Sequence, residues 1–145
     1  MKTLLTTAIA VFLALSTAAF AEGGPHHLAI HVDQSDAKVM NMALNNAANV
    51  EAYYASKGEQ VVIEIVAYGP GLLMFLDGKS PVADRIATMS LEHENMAFTA
   101  CENTFRRMSE RTDSDLALLD EAKMVPSGAV RLIELQEQGY AYLRP

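Results

Sequence analysis

The stretch Val61 to Tyr68 reads Val-Val-Ile-Glu-Ile-Val-Ala-Tyr, almost continuously apolar and β-branched. A strand wet on one side alternates apolar with polar residues. An unbroken run suits a strand covered on both faces, hence a parallel sheet with helices on each side.

The rest of the chain fits that frame. His27 to Val32 reads as a strand, and Asp33-Gln34-Ser35-Asp36 ends it and offers caps for a helix from Ala37 to Ser56, stopped by Gly58. Val39, Ala43, Ala47 and Val50 form the apolar stripe of that helix. Asn41, Asn45 and Asn49 form a polar row, read as a solvated face or, more sharply, as a surface for another subunit. Gly69-Pro70-Gly71 turns into the short apolar segment Leu72 to Leu76, and Asp77-Gly78-Lys79 breaks it. Ser80-Pro81 predicts a helix start with proline in the first turn, running to about Glu94 with Val82, Ile86 and Met89 buried. Met96 to Ala100 reads as a strand and Glu102 to Glu110 as a helix. Thr112 to Ala122 is ambiguous, with Asp113 or Ser114 able to cap a short helix through Leu116 and Leu119. Lys123 to Val125 is a strand, Ser127 caps a helix to Gln138 with Val130, Ile133 and Leu135 apolar, and Tyr140 to Leu143 is a last strand. Strand and helix alternate throughout, which predicts one α/β domain around a mainly parallel sheet of about five strands, with helices on both faces.

The first residues stand apart. Lys2 gives a positive start, Leu4 to Leu15 is mostly apolar, and Ala19-Phe20-Ala21 is a small-x-small cleavage signal, so residues 1–21 are expected to be a cleaved signal peptide and 22–145 the mature domain. That implies a periplasmic or secreted protein with no membrane attachment after cleavage. The net charge of the 145-residue chain is −7. It argues against nucleic acid or an anionic membrane as partner.

Cys101 is the only cysteine. It lies where an apolar strand gives way to a helix, facing unpaired N–H groups and the positive end of a helix dipole, which favour a thiolate. Glu102 beside it works in the opposite direction. A lone cysteine in an oxidising compartment is a buried hydrophobe, a partner in a disulfide with another chain, or a working thiol.

In a parallel sheet, ligands sit beyond the carboxyl ends of the strands. Those ends hold His31 and Asp33, then Tyr68, Gly69, Pro70 and Gly71, then Cys101 with Glu102, Asn103 and Thr104, then Pro126 and Ser127. Other chemistries lack their residues. The glycine turn is too short for a nucleotide loop, and one cysteine excludes CxxC exchange and CxxC zinc clusters. Adjacent His26 and His27 point to opposite strand faces, His93 lies in a charged helix end, and the methionines scatter at core-like spacing, so no metal site is expected. A Cys-His hydrolase would have only His31 to use.

Four segments taken in order, Ala67 to Gly71, Phe98 to Thr104, Val125 to Gly128 and Gln136 to Pro145, resemble the DsrE/DsrF-like family of small sulfur-relay proteins. The Glu-Asn-Thr after Cys101 is most similar to its less characterised branch. The resemblance implies a flavodoxin-like fold, a homo-oligomer such as a trimer or hexamer, and no organic cofactor. It also implies a cysteine at the place of Cys101 that carries a persulfide between a donor and an acceptor protein, without turning over a dedicated substrate. Three roles follow for Cys101: sulfane-sulfur carrier, structural residue of a small-ligand-binding or assembly module, or thiol forming mixed disulfides.

Overall fold

The computed structural model describes residues 24–112 and 115–145. The expected leader therefore lies outside the described residues, as do the expected caps Asp113 and Ser114. No helix among the described residues is long and apolar enough to cross a membrane.

Five strands form one all-parallel sheet in the order β4-β3-β2-β1-β5, with β1 at His26–Val32, β2 at Val61–Ala67, β3 at Met96–Cys101, β4 at Ala122–Val125 and β5 at Ala141–Leu143. The helices are α1 at Ala37–Ser56, α2 at Ala83–Glu92, α3 at Glu102–Thr112 and α4 at Gly128–Glu137, with a 3-10 segment at Gly69–Phe75.

Which face each helix takes follows from handedness. Steps from β1 to β2, β2 to β3 and β3 to β4 run in one direction across the sheet, and right-handed crossovers put their connections on one face. The step from β4 to β5 runs back across the sheet, so α4 must lie on the other. Packing agrees. Leu28, Ile30, Val32, Ile63, Ile65, Ala67, Phe98 and Ala100 join Met40, Ala43, Leu44 and Ala47 of α1 and Ile86 and Met89 of α2 in the main core, against which Phe105 and Met108 of α3 pack. The alternate residues Ala29 and Val66 meet Leu132 and Leu135 of α4 in a much smaller cluster. Fully burying one such Leu, Ile or Phe is worth about 1.5–3 kcal/mol, so the three-helix face carries most of the stability.

The strand Val61–Ala67 is covered on both faces as its composition predicts, which leaves its one charged residue, Glu64, 6% exposed. A carboxylate there needs partners. Thr99 donates its hydroxyl to Glu64 Oε1 at 2.8 Å, and Arg131 of α4 donates from Nε and Nη2 at 2.8 and 2.7 Å. This buried clamp leaves the carboxylate paired and fixes how α4 sits on the sheet.

Two local expectations are corrected. Helix α2 begins at Ala83 and not at Ser80-Pro81: residues 81–82 form a turn, in which the Ser80 hydroxyl donates to the Met74 carbonyl and accepts the Val82 N–H at 3.3 Å. Residues 115–121 form no helix. They run as an extended strap, with Leu119 N–H donating to the Phe75 carbonyl and Asp77 N–H to the Ala117 carbonyl, both at 2.9 Å. In the asparagine row Asn45 and Asn49 are exposed, as a solvated face requires, and Arg85 of α2 donates to the side-chain oxygens of Asn41 and Asn45 at 3.0 and 2.6 Å. On α4, Leu132 and Leu135 face inward while Val130 and Ile133 are exposed.

Candidate functional site

Adjacent strands β3 and β4 send the chain to opposite faces, β3 into α3 and β4 into α4. That divergence opens the crevice where parallel sheets bind ligands. Cys101 is the last residue of β3 and pairs in register with Val125 of β4. Its side chain shares the α4 face with Thr99, Glu64 and Val66, between the starts of two helices.

Both helix starts supply donors. The Thr104 hydroxyl and the backbone N–H groups of Gly128, Thr104 and Asn103 all favour the charged form of the sulfur. Burial pushes the thiol pKa up, but these four donors outweigh it and hold Cys101 below an ordinary thiol. The Asn103 N–H is shared, since it also donates to the Pro126 carbonyl at 3.3 Å. Thr104 Oγ1 accepts the Gly69 N–H at 3.0 Å, so the glycine turn polarises the hydroxyl that favours the thiolate. Glu102, expected to oppose the thiolate, is exposed at the first turn of α3.

Two glycines permit this geometry. A Cβ on Gly128 would lie 3.0 Å from the Tyr68 ring and 3.2 Å from Cys101 Cβ, so only glycine lets the start of α4 approach both. A Cβ on Gly71 would overlap the Val32 carbonyl and lie 2.8 Å from Asp33 Cα, which fixes the 3-10 segment against the end of β1. Gly69 has φ 54°, a left-handed turn that aims its N–H at Thr104.

The remaining expected residues fall into place unequally. Ser127 caps α4 by accepting the Val130 N–H at 3.5 Å, and Pro126 contributes only its carbonyl. Pro70 is exposed on the rim. The Asn103 side chain turns outward to Arg106 at 3.2 Å, so its contribution is backbone alone. His31 and Asp33 form no hydrogen bond with Cys101. His31 is 5% exposed and stacks on Tyr68 with ring centroids 4.5 Å apart, its Nδ1 sharing a proton with the Tyr142 hydroxyl at 2.7 Å. Burial lowers its pKa, against an opposing pull from Asp33, so the ring is held neutral. Asp33 is committed to Arg144 in a two-point ion pair at 3.2 and 2.7 Å. Tyr68 links the two halves: burial first, then the negative charge of Asp33, and last Cys101 raise its pKa.

Sequence reasoning omitted Gly128, Tyr142 and the Glu64–Arg131–Thr99 clamp. Gly128 was recoverable as the first helical residue after the cap Ser127, and Glu64 as the one acid in an apolar strand. Tyr142 gave no signal.

A cavity of about 370 Å³ adjoins the thiol through Thr104 and is lined by Gly69, Pro70, Thr104, Arg107, Met108 and Arg111. A larger one of about 600 Å³ lies at the opposite end of the sheet, among His26, His27, Tyr53 and Tyr54. Size and chemistry thus disagree, and the thiol end alone has a nucleophile with matched donors. Among the described residues no group of three or more His, Cys, Asp or Glu side chains is placed to hold a metal. His26 stacks on Tyr54 and pairs with Glu59, His27 packs on Tyr140, and His93 pairs with Glu51 at 2.7 Å.

Similarity to known proteins agrees with this architecture. A solved structure of a protein of unknown function from Methanobacterium thermoautotrophicum matches with a TM-score of 0.69 and 28% identity, over 83% of this chain and 99% of that one. No curated protein matches. The model of the DsrE/DsrF-like family matches residues 10–145. With its parallel five-stranded sheet and a match over nearly its whole length, the chain belongs to the DsrE/DsrF-like family.

Proposed function

We propose that the protein is a sulfane-sulfur carrier in which Cys101 accepts one sulfur as a persulfide and yields it to an acceptor thiol. The observation that carries this reading is the convergence of Thr104 Oγ1 and three backbone N–H groups on a thiol whose pKa they lower. Membership of a family generally associated with sulfur relay supports it. In the loading step the Cys101 thiolate attacks the outer sulfur of a donor R–S–SH. A new S–S bond forms, the old one breaks, the proton stays on the transferred sulfur, and R–S⁻ departs with the electron pair. Unloading is the same exchange with Cys101 as the leaving thiolate, and a depressed pKa makes it a better one. No oxidant enters either step. The proposal includes export with removal of residues 1–21, assembly into a homo-oligomer such as a trimer or hexamer, and donor and acceptor proteins as partners.

The 4% exposure of Cys101 favours a second reading, in which the thiol is packing and the crevice serves binding or assembly. Intact mass after exposure to polysulfide separates the two. The carrier gains about one sulfur atom, reversibly with reductant, and Cys101→Ser gains none. Modification that occurs only in unfolded protein overturns the carrier reading and establishes the packing one.

A further inference from the structure

Six arginines lie on the described chain, and four have clear partners. Arg85 holds Asn41 and Asn45, Arg106 reaches Glu110 and Asn103, Arg131 holds Glu64, and Arg144 holds Asp33. Arg107 and Arg111 have no carboxylate partner among the described residues, in a chain whose net charge is −7. Both line the cavity of about 370 Å³ beside the thiol. They share that wall with Thr104 and Met108 because positions three, four and seven apart on α3 fall on one side of a helix.

The cavity and the thiol are joined by a single residue. Thr104 lines the cavity and its hydroxyl lowers the pKa of Cys101, and Gly69, on the facing wall, donates its N–H to the same hydroxyl. A sulfur compound whose terminal sulfur is presented at Cys101 would therefore lay its tail along α3, beside two arginines about one helical turn apart. Guanidinium forks match carboxylates in geometry as well as charge. The volume fits a small molecule and is too small for a folded partner's surface.

We propose that this cavity is an anion subsite that selects the sulfur donor: a low-molecular-weight persulfide bearing carboxylates, held by Arg107 and Arg111. The proposal rests on the carrier reading for the reaction, though not for the binding. The leaving thiolate R–S⁻ keeps its tail in the cavity until exchange is complete, and the atom balance is that of the loading step above.

The test has two arms. In the first, Cys101 of the wild type and of an Arg107→Gln/Arg111→Gln variant is loaded by glutathione persulfide, which carries two carboxylates, and by the neutral persulfide of 2-mercaptoethanol. The wild type loads from the anionic donor on the order of tenfold faster, and the variant loses that preference while its rate with the neutral donor is unchanged. Equal rates in the wild type, or a preference that survives in the variant, overturn the subsite and leave the carrier standing. In the second arm, S-methylglutathione, which has no transferable sulfur, is titrated calorimetrically into Cys101→Ser protein with and without the two arginines. Binding that needs both arginines upholds the subsite even where no persulfide forms, an outcome that refutes only the carrier reading. No binding in the presence of both overturns the subsite.

Discussion

Arg131→Met tests whether the buried clamp under α4 is what seats that helix on the thiol. Glu64 accepts three charge-assisted hydrogen bonds, two of them from Arg131, and its side chain is 8% exposed against 28% for Arg131. Stripping one partner from a fully buried pair costs about 3–5 kcal/mol, because a charge is left without compensation. Water reaches the Arg131 side, and Thr99 still donates to the carboxylate, so about 2–3 kcal/mol is expected here. For a domain of this size that is a fall in Tm on the order of 10 °C. Urea denaturation gives the free energy directly. Glu64→Leu/Arg131→Met removes both charges and is expected within about 1 kcal/mol of the wild type, so the pair couples by roughly 2 kcal/mol in the double-mutant cycle. The single variant should also raise the Cys101 pKa, since Gly128 donates to the sulfur from the first turn of the same helix. Additive costs for the two substitutions, or a loss under about 0.5 kcal/mol for Arg131→Met, would refute the argument.

Two further outcomes test single contacts. Thr104→Val keeps the shape of the side chain and removes the hydroxyl that lowers the thiol pKa. With hydrogen bonds to charged groups worth about 1.5–3 kcal/mol, the thiol pKa should rise by about one to two pH units, read from thiolate absorbance in the ultraviolet; an unchanged titration would show that the backbone donors suffice. His31→Phe keeps the stack on Tyr68 and removes the titration. Because the folded pKa of His31 lies below the ordinary 6.5, the unfolded chain binds a proton that the fold resists. The stability of the neutral ring is in place above pH 6.5 and is lost as pH falls through 6.5 toward the folded value. The wild type should therefore lose stability relative to His31→Phe between about pH 7 and 5, whereas parallel curves would mean that the imidazole is not held neutral.

The sheet was legible because its signals are local. An apolar β-branched run such as Val61 to Tyr68 has no comfortable place except a strand covered on both sides, and the alternation with helices made the sheet parallel. The position of Cys101 at a strand end followed from the same pattern. What sequence missed was decided by partners distant along the chain. Ser80 looks like a helix cap and does accept the Val82 N–H, yet it is also bonded to the Met74 carbonyl and α2 begins only at Ala83. Leu116 and Leu119 have helical spacing, but the strap containing them pairs with the end of the 3-10 segment instead. On α4, Val130 and Ile133 are as apolar as Leu132 and Leu135, and only the docked orientation set by Arg131 and Glu64 separates the outward pair from the inward one.

The direction of one crossover explains why the thiol sits where it does. Had the chain continued outward after β4, α4 would have joined the other three helices and its first turn would have pointed away from Cys101. Returning across the sheet to β5 puts α4 on the opposite face, and its start then meets that of α3 across the end of β3. The sulfur gains donors from two helices at once, most of them backbone groups whose positions the sheet fixes. Such a site holds a thiolate without a neighbouring base. His31, the one histidine at that end, is buried, neutral and committed to Tyr68 and Tyr142. Hydrolysis needs a base to activate water, whereas sulfur exchange between thiolates needs only a nucleophile that is also a good leaving group. The arrangement supports exchange over hydrolysis because it stabilises the anion with fixed dipoles and brings no base to it.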